Sequence, residues 1–123
     1  METVIKDYYH GFEGSPEIQF IRVLKNGENN TLRIWDGYFD DIMQQIKPEK
    51  NGWTDIAYYY HMETGWYSDS PWKIPVLSNT LELLRQRENK TFNFPESKEV
   101  CGDLCSLLEQ AIAEDELVFI AYD

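Results

Sequence analysis

The end of the chain sets the tightest constraint on the fold. Cys101, Leu104, Cys105, Leu108, Ala111 and Ile112 recur at helical spacing, giving one clean apolar face. Glu114, Asp115 and Glu116 break that period. Leu117-Val-Phe-Ile-Ala-Tyr122 follows with no charge at all. A striped helix must bury its stripe, and a strand apolar on both faces belongs inside a sheet. A chain ending this way is built as helix on sheet.

The remaining segments read in the same terms. Ile18 to Leu24 and Thr31 to Trp35 are rich in β-branched and aromatic residues around Asn26-Gly27, a hairpin signal. From Asp36 to Ile46 the period changes: Phe39, Ile42, Met43 and Ile46 form a helical stripe. Asp36 is placed as its N-cap, with Asp40 and Asp41 in or near the first turn. Thr54 to Met62 alternates as a strand, with Ile56, Tyr58, Tyr60 and Met62 on one face and Asp55, Ala57, Tyr59 and His61 on the other. Gly65 to Pro75 reads as a loop or irregular strand, because Pro71 and Pro75 exclude a central one. Ser78 to Glu88 is a helix on Leu77, Leu81 and Leu84, with Asn79 and Glu82 as a capping box. Thr91 to Phe94 is an expected short edge strand, and a third helix starts near Pro95 or Ser97. The expectation is one α+β domain over residues 1–123, with a mixed or mostly antiparallel sheet of four to six strands and about three helices packed on it.

Composition narrows the function classes. The chain has 123 residues, of which 42% are hydrophobic and 15% aromatic, which excludes disorder. Its 22 acids against 11 bases leave a net charge of -11, which argues against nucleic acid as a partner. The start of the chain lacks the pattern of a signal peptide, and no apolar run approaches the roughly 20 residues of a membrane span. A soluble, cytoplasmic protein is expected. Cys101 and Cys105 sit four apart on the apolar stripe, a spacing that suits neither a disulfide nor a zinc site and reads as two buried thiols. No phosphate loop, metal-ligand spacing or nucleophile motif occurs, so no metal or cofactor and no enzymatic activity are expected.

The charge is uneven. Seven acids meet two bases between Trp35 and Ser70, and eight meet one between Thr91 and Asp123, whereas Pro71 to Lys90 carries a surplus of bases. Glu96, Glu99 and Asp103 recur along one ridge of the third helix, where like charges repel. Trp53 to Trp72 also holds Tyr58, Tyr59, Tyr60, Trp66 and Tyr67 among Asp55, Glu63 and Asp69. Rings beside carboxylates suit a protein-binding surface, where aromatics anchor and acids meet Lys or Arg. The candidate contacts are Asp36, Asp40, Asp41, Asp55, Tyr59, Glu63, Trp66, Tyr67 and Asp69. Other readings of the same segment are an enzyme using His61 oriented by Asp55, Glu63 or Asp69, a glycan or small-molecule platform on Trp66 and Trp72, and plain core packing.

In size, acidity and texture the chain resembles the bacterial immunity proteins. The likeness rests on Trp35-Asp-Gly-Tyr-Phe-Asp-Asp41, Asn51-Gly-Trp-Thr-Asp-Ile-Ala-Tyr-Tyr-Tyr60, Gly65-Trp-Tyr67 and Phe119-Ile-Ala-Tyr-Asp123. It implies a tight one-to-one complex with a basic toxin domain, commonly a nuclease, whose active site or a nearby surface is covered.

Overall fold

A computed structural model describes residues 2–88 and 90–123. The fold is α+β. A five-stranded mixed sheet has the order β1-β3-β2-β5-β4 and carries four α-helices. The strands are β1 (Glu2–Tyr8), β2 (Glu17–Val23), β3 (Asn29–Trp35), β4 (Trp72–Lys73) and β5 (Leu117–Tyr122); the helices are α1 (Asp36–Gln44), α2 (Asp55–His61), α3 (Leu77–Arg85) and α4 (Pro95–Ala113).

The β2–β3 hairpin closes as its sequence requires. Leu24 N–H donates to Glu28 O at 2.8 Å, the Asn26 side chain accepts from Glu28 N–H at 2.9 Å, and Gly27 takes φ +89°. Apolar β5 lies inside the sheet, between β2 and the two-residue edge strand β4, with Val118 and Ile120 on its buried face. β1 had no signal in the alternation pattern. It joins the far edge parallel to β3, with a register shift between Val4 and Lys6.

Ile18 and Phe20 of β2, Leu32 and Ile34 of β3, and Val118 and Ile120 of β5 share the buried face of the sheet. Phe39, Ile42 and Met43 of α1 and Val100, Cys101, Leu104 and Leu108 of α4 complete the core. The two cysteines are free and buried within it. Cys101 Sγ lies 3.5 Å from Leu84 O. The Cys105 thiol is pushed up, first by Cys101 and then by burial.

Several expectations fail for physical reasons. Thr54 to Met62 is no strand: α2 occupies Asp55–His61, with Ile56 and Ala57 buried while Tyr58 and Met62 are each 47% exposed. The run of tyrosines imitated β alternation, and tertiary burial of one helical side overrode it. Thr91 to Phe94 forms no strand either. The N–H groups of Asn93 and Phe94 point to the Asp41 carboxylate rather than to a sheet. Trp35, not Asp36, is the N-cap of α1, and Asp36 is its first helical residue. The capping box is absent, because α3 starts at Leu77 after Val76 with no side-chain cap. Ile112 is 39% exposed, off the buried stripe.

Candidate functional site

Strands β1, β3 and β5 run in one direction, so their C-terminal ends emerge together. Acids and rings concentrate there. Asp36 and Asp40 lie one turn apart on α1 and both are partly exposed. Gly37 between them gives the Trp35 indole room: a Cβ there would come within 2.3 Å of the ring. Trp35 in turn stacks on Phe12 at 4.0 Å and meets Tyr38 and Phe94 edge-on. On the other flank Tyr67, in the single 3₁₀ turn Gly65–Tyr67, meets Tyr122 of β5 at 4.8 Å and Tyr60 at 6.3 Å.

Electrostatics mark this end out. The Asp36 carboxyl is raised above the usual carboxylate range, by burial first and then by the charge of Asp40. The dipole of α1 favours an anion at that position, so burial and repulsion outweigh it. Tyr67 is pushed up to about 12, by burial and then by Asp36, Tyr122 and Asp40. Among the described residues neither Asp36 nor Asp40 has a cationic partner. Asp40 accepts only from the Gln44 amide, at 3.3 Å.

Some acids elsewhere are matched by cations. Lys6 of β1 reaches Glu99 at 3.5 Å and Asp103 at 3.7 Å, partly neutralising the ridge on α4. Tyr8 donates a short hydrogen bond to Asp103. Arg22 pairs with Glu116 at 2.6 Å and Arg33 with Glu17 at 2.5 Å.

The nine candidate residues therefore separate. Asp36, Asp40 and Tyr67 come together. Asp41 does not join them. It is 2% exposed and binds the start of α4 through Phe94 N–H at 2.9 Å, Asn93 N–H at 3.1 Å and Ser97 Oγ at 2.7 Å. Burial alone would raise its carboxyl, but these donors hold it below the usual range. Trp66 is fully buried against Phe39 and Trp72, so it is core and serves neither partner nor sugar. Glu63 and Asp69 are exposed on the turns around Gly65. Gly65 itself takes φ +65°, and a Cβ there would come within 3.2 Å of Tyr59 Cβ.

Asp55 and Tyr59 face a separate groove of about 680 Å³ between α2 and α3, lined also by Trp53, Tyr58, Val76 and Arg87. Asp55 accepts from Thr80 Oγ1 at 2.5 Å. Neither Trp53 Nε1 nor Arg87 Nε has a hydrogen-bond acceptor. His61 stacks on Trp53 at 4.0 Å, and its buried Nε2 has no hydrogen-bond partner. Asp55, one of its three expected orienters, is committed to Thr80 instead.

Tyr122, Trp35, Phe12 and Phe94 are members of the strand-end surface that sequence reasoning missed as site residues. The common direction of β3 and β5 was the signal for Tyr122; Phe12 and Phe94 had none, since loops carry them there. Among the described residues no helix is long and apolar enough to cross a membrane, and no group of three or more His, Cys, Asp or Glu side chains could hold a metal ion. Compared with protein-family models, curated proteins and solved structures, the chain finds no match.

Proposed function

We propose that the protein is an acidic inhibitor of a basic protein, acting as bacterial immunity proteins do by forming a one-to-one complex with a toxin domain in the cytoplasm. The observation that carries this reading is the Asp36–Asp40 pair. It is partly desolvated and self-repelling, and it lacks an internal counter-charge although the fold pairs Glu17, Glu99, Asp103 and Glu116 elsewhere. Such a pair costs stability in the free protein and recovers it when a Lys or Arg of a partner arrives. Tyr67, Tyr122 and the Trp35 cluster supply the adjoining aromatic anchors. The acids steer encounter and the rings slow dissociation.

The test is to co-express the chain with the product of the neighbouring reading frame and measure association by stopped flow. Reversal of both Asp36 and Asp40 to Lys is expected to lower the association rate at least tenfold at low salt and to flatten its salt dependence. An unchanged rate would remove this surface from the contact. A toxic neighbour that the wild-type chain neither binds nor neutralises would overturn the reading itself.

The groove between α2 and α3 favours a second reading, a small-molecule site. Its volume is in the range of known ligand pockets, and its Trp53 and Arg87 donors lack acceptors. Titration with small aromatic carboxylates should then quench tryptophan fluorescence in the wild type and not in Arg87→Ala. No quench across such a panel would dismiss it.

A further inference from the structure

The sheet has a second face, and it is unusual for one left open. The core residues of β2, β3 and β5 all point to the helix side. On the other side the register aligns Val4 of β1, Thr31 of β3, Ile21 of β2, Phe119 of β5 and Lys73 of β4 in one row across the whole sheet. Val23 and Leu117 stand beside it in the next row. Antiparallel sheets normally show water a polar face. Here Val4 is 45% and Leu117 49% exposed, with Ile21, Val23 and Phe119 only partly buried. Thr31 between Val4 and Ile21 is buried, and exposed apolar side chains grouped around it on one face mark an interaction site.

Charge identifies the occupant. The chain carries a net -11, but this face holds Glu2, Asp7, Glu17 and, at the strand end, Asp123 against Arg33 and Lys73. Arg33 already holds Glu17 at 2.5 Å and Asp7 at 3.5 Å. That leaves on one edge Glu2, which accepts from Thr31 Oγ1 at 2.8 Å but has no ion pair among the described residues, and on the other a base, Lys73. Among the described residues Lys73 has no ion pair, although cations are scarce in this chain. An edge that is acidic on one side and basic on the other complements itself.

We propose that this face packs against the same face of a second copy of the chain. A two-fold axis along the strands lays the β1 edge of each copy over the β4 edge of the other. Lys73 of each copy then comes level with Val4 of the other, about 7 Å along the strand from Glu2 and within reach of it through the long lysine side chain, and the apolar rows interleave between the two edges. Within an acidic protein, this face carries only a small part of the net charge, so two copies approach through it with reduced repulsion. The five strands, about 4.8 Å apart and at most seven residues long, make a sheet roughly 20 by 23 Å, so the contact buries at most about 900 Å² over both copies, just under the roughly 1,000 Å² of specific interfaces. The dimer is accordingly expected to dissociate in the micromolar range. The Asp36–Asp40 end lies at the strand termini, outside this contact, so the dimer presents two such ends and does not depend on their role.

Sedimentation velocity from about 1 to about 200 µM tests the proposal. The wild type should shift from monomer to dimer across that range. Val4→Lys with Leu117→Lys, both at exposed positions, should stay monomeric with an unchanged circular dichroism spectrum. Lys73→Glu should weaken association at least tenfold, and Glu2→Lys combined with Lys73→Glu should restore it. That charge exchange carries the test should the apolar variant fail to fold. A wild type that is monomeric throughout, a dimer indifferent to these changes, or an exchange that does not rescue would overturn it.

Discussion

Two aspartates five positions apart illustrate how residue context decides role. Asp41 and Asp36 both belong to α1, yet one is a structural anchor and the other a free charge. Asp41→Ala leaves the N–H groups of Asn93 and Phe94 and the Ser97 hydroxyl without their acceptor, and should destabilise the fold by about 2–4 kcal/mol in urea unfolding. Because its carboxyl is held below the usual range, Asp41 contributes stability above its unfolded pKa, and that contribution is lost as pH falls through its folded value. Asp36 has the opposite sign. Its raised carboxyl disfavours the fold once ionised, so the wild type is relatively more stable below the unfolded pKa and loses that advantage as pH rises through the folded one. Asp36→Asn should therefore raise stability near neutral pH, by up to about 1 kcal/mol after solvent screening, with the gain vanishing in acid. The same variant should associate more slowly with the basic partner. A pH series of urea midpoints for both variants checks the two signs together.

At the scale of elements, legibility followed the range of the interactions. α4 and β5 were readable because their patterns are long and local: nineteen helical residues with one apolar stripe, then six residues without charge. The hairpin was readable because Asn26-Gly27 encodes its turn. β1 and α2 were not. β1 is exposed along nearly its whole length and is held at the edge by pairing with β3 and by Tyr8 and Lys6 reaching α4. Tyr8→Phe removes the hydrogen bond to Asp103 and should lower the local stability of β1 by about 1 kcal/mol. Hydrogen exchange of β1 amides should then accelerate while the β2–β5 core stays protected; equal acceleration everywhere would show that β1 unfolds only with the whole domain. In α2, seven residues are too few for a helical stripe to outweigh three consecutive tyrosines, and the packing of Ile56 and Ala57 decided the outcome.

For the whole molecule, net charge governs behaviour in two opposite ways. A charge of -11 repels itself across a chain this small, so the melting temperature should rise as salt is increased from about 10 to about 150 mM. Association with a basic partner should slow over the same range, because screening removes the steering. Melting curves and association rates measured in one salt series should move in opposite directions; a melting temperature that falls with salt would mean that Arg22, Arg33 and their partners outweigh the repulsion.

Composition, periodicity and turn chemistry determined the α+β class, the hairpin, the long helix before a central strand, and an acidic chain rich in rings. Each of these is written within a dozen or so neighbouring residues. The tertiary structure alone decided which carboxylates are spent inside and which remain unmatched. It also decided that Trp66 is core, and that Val4 and Leu117 stay exposed on the uncovered face of the sheet. The reason is distance along the chain. Asp41 is satisfied by residues 52 to 56 positions away and Glu116 by an arginine 94 away, and no local pattern records a partner that far off.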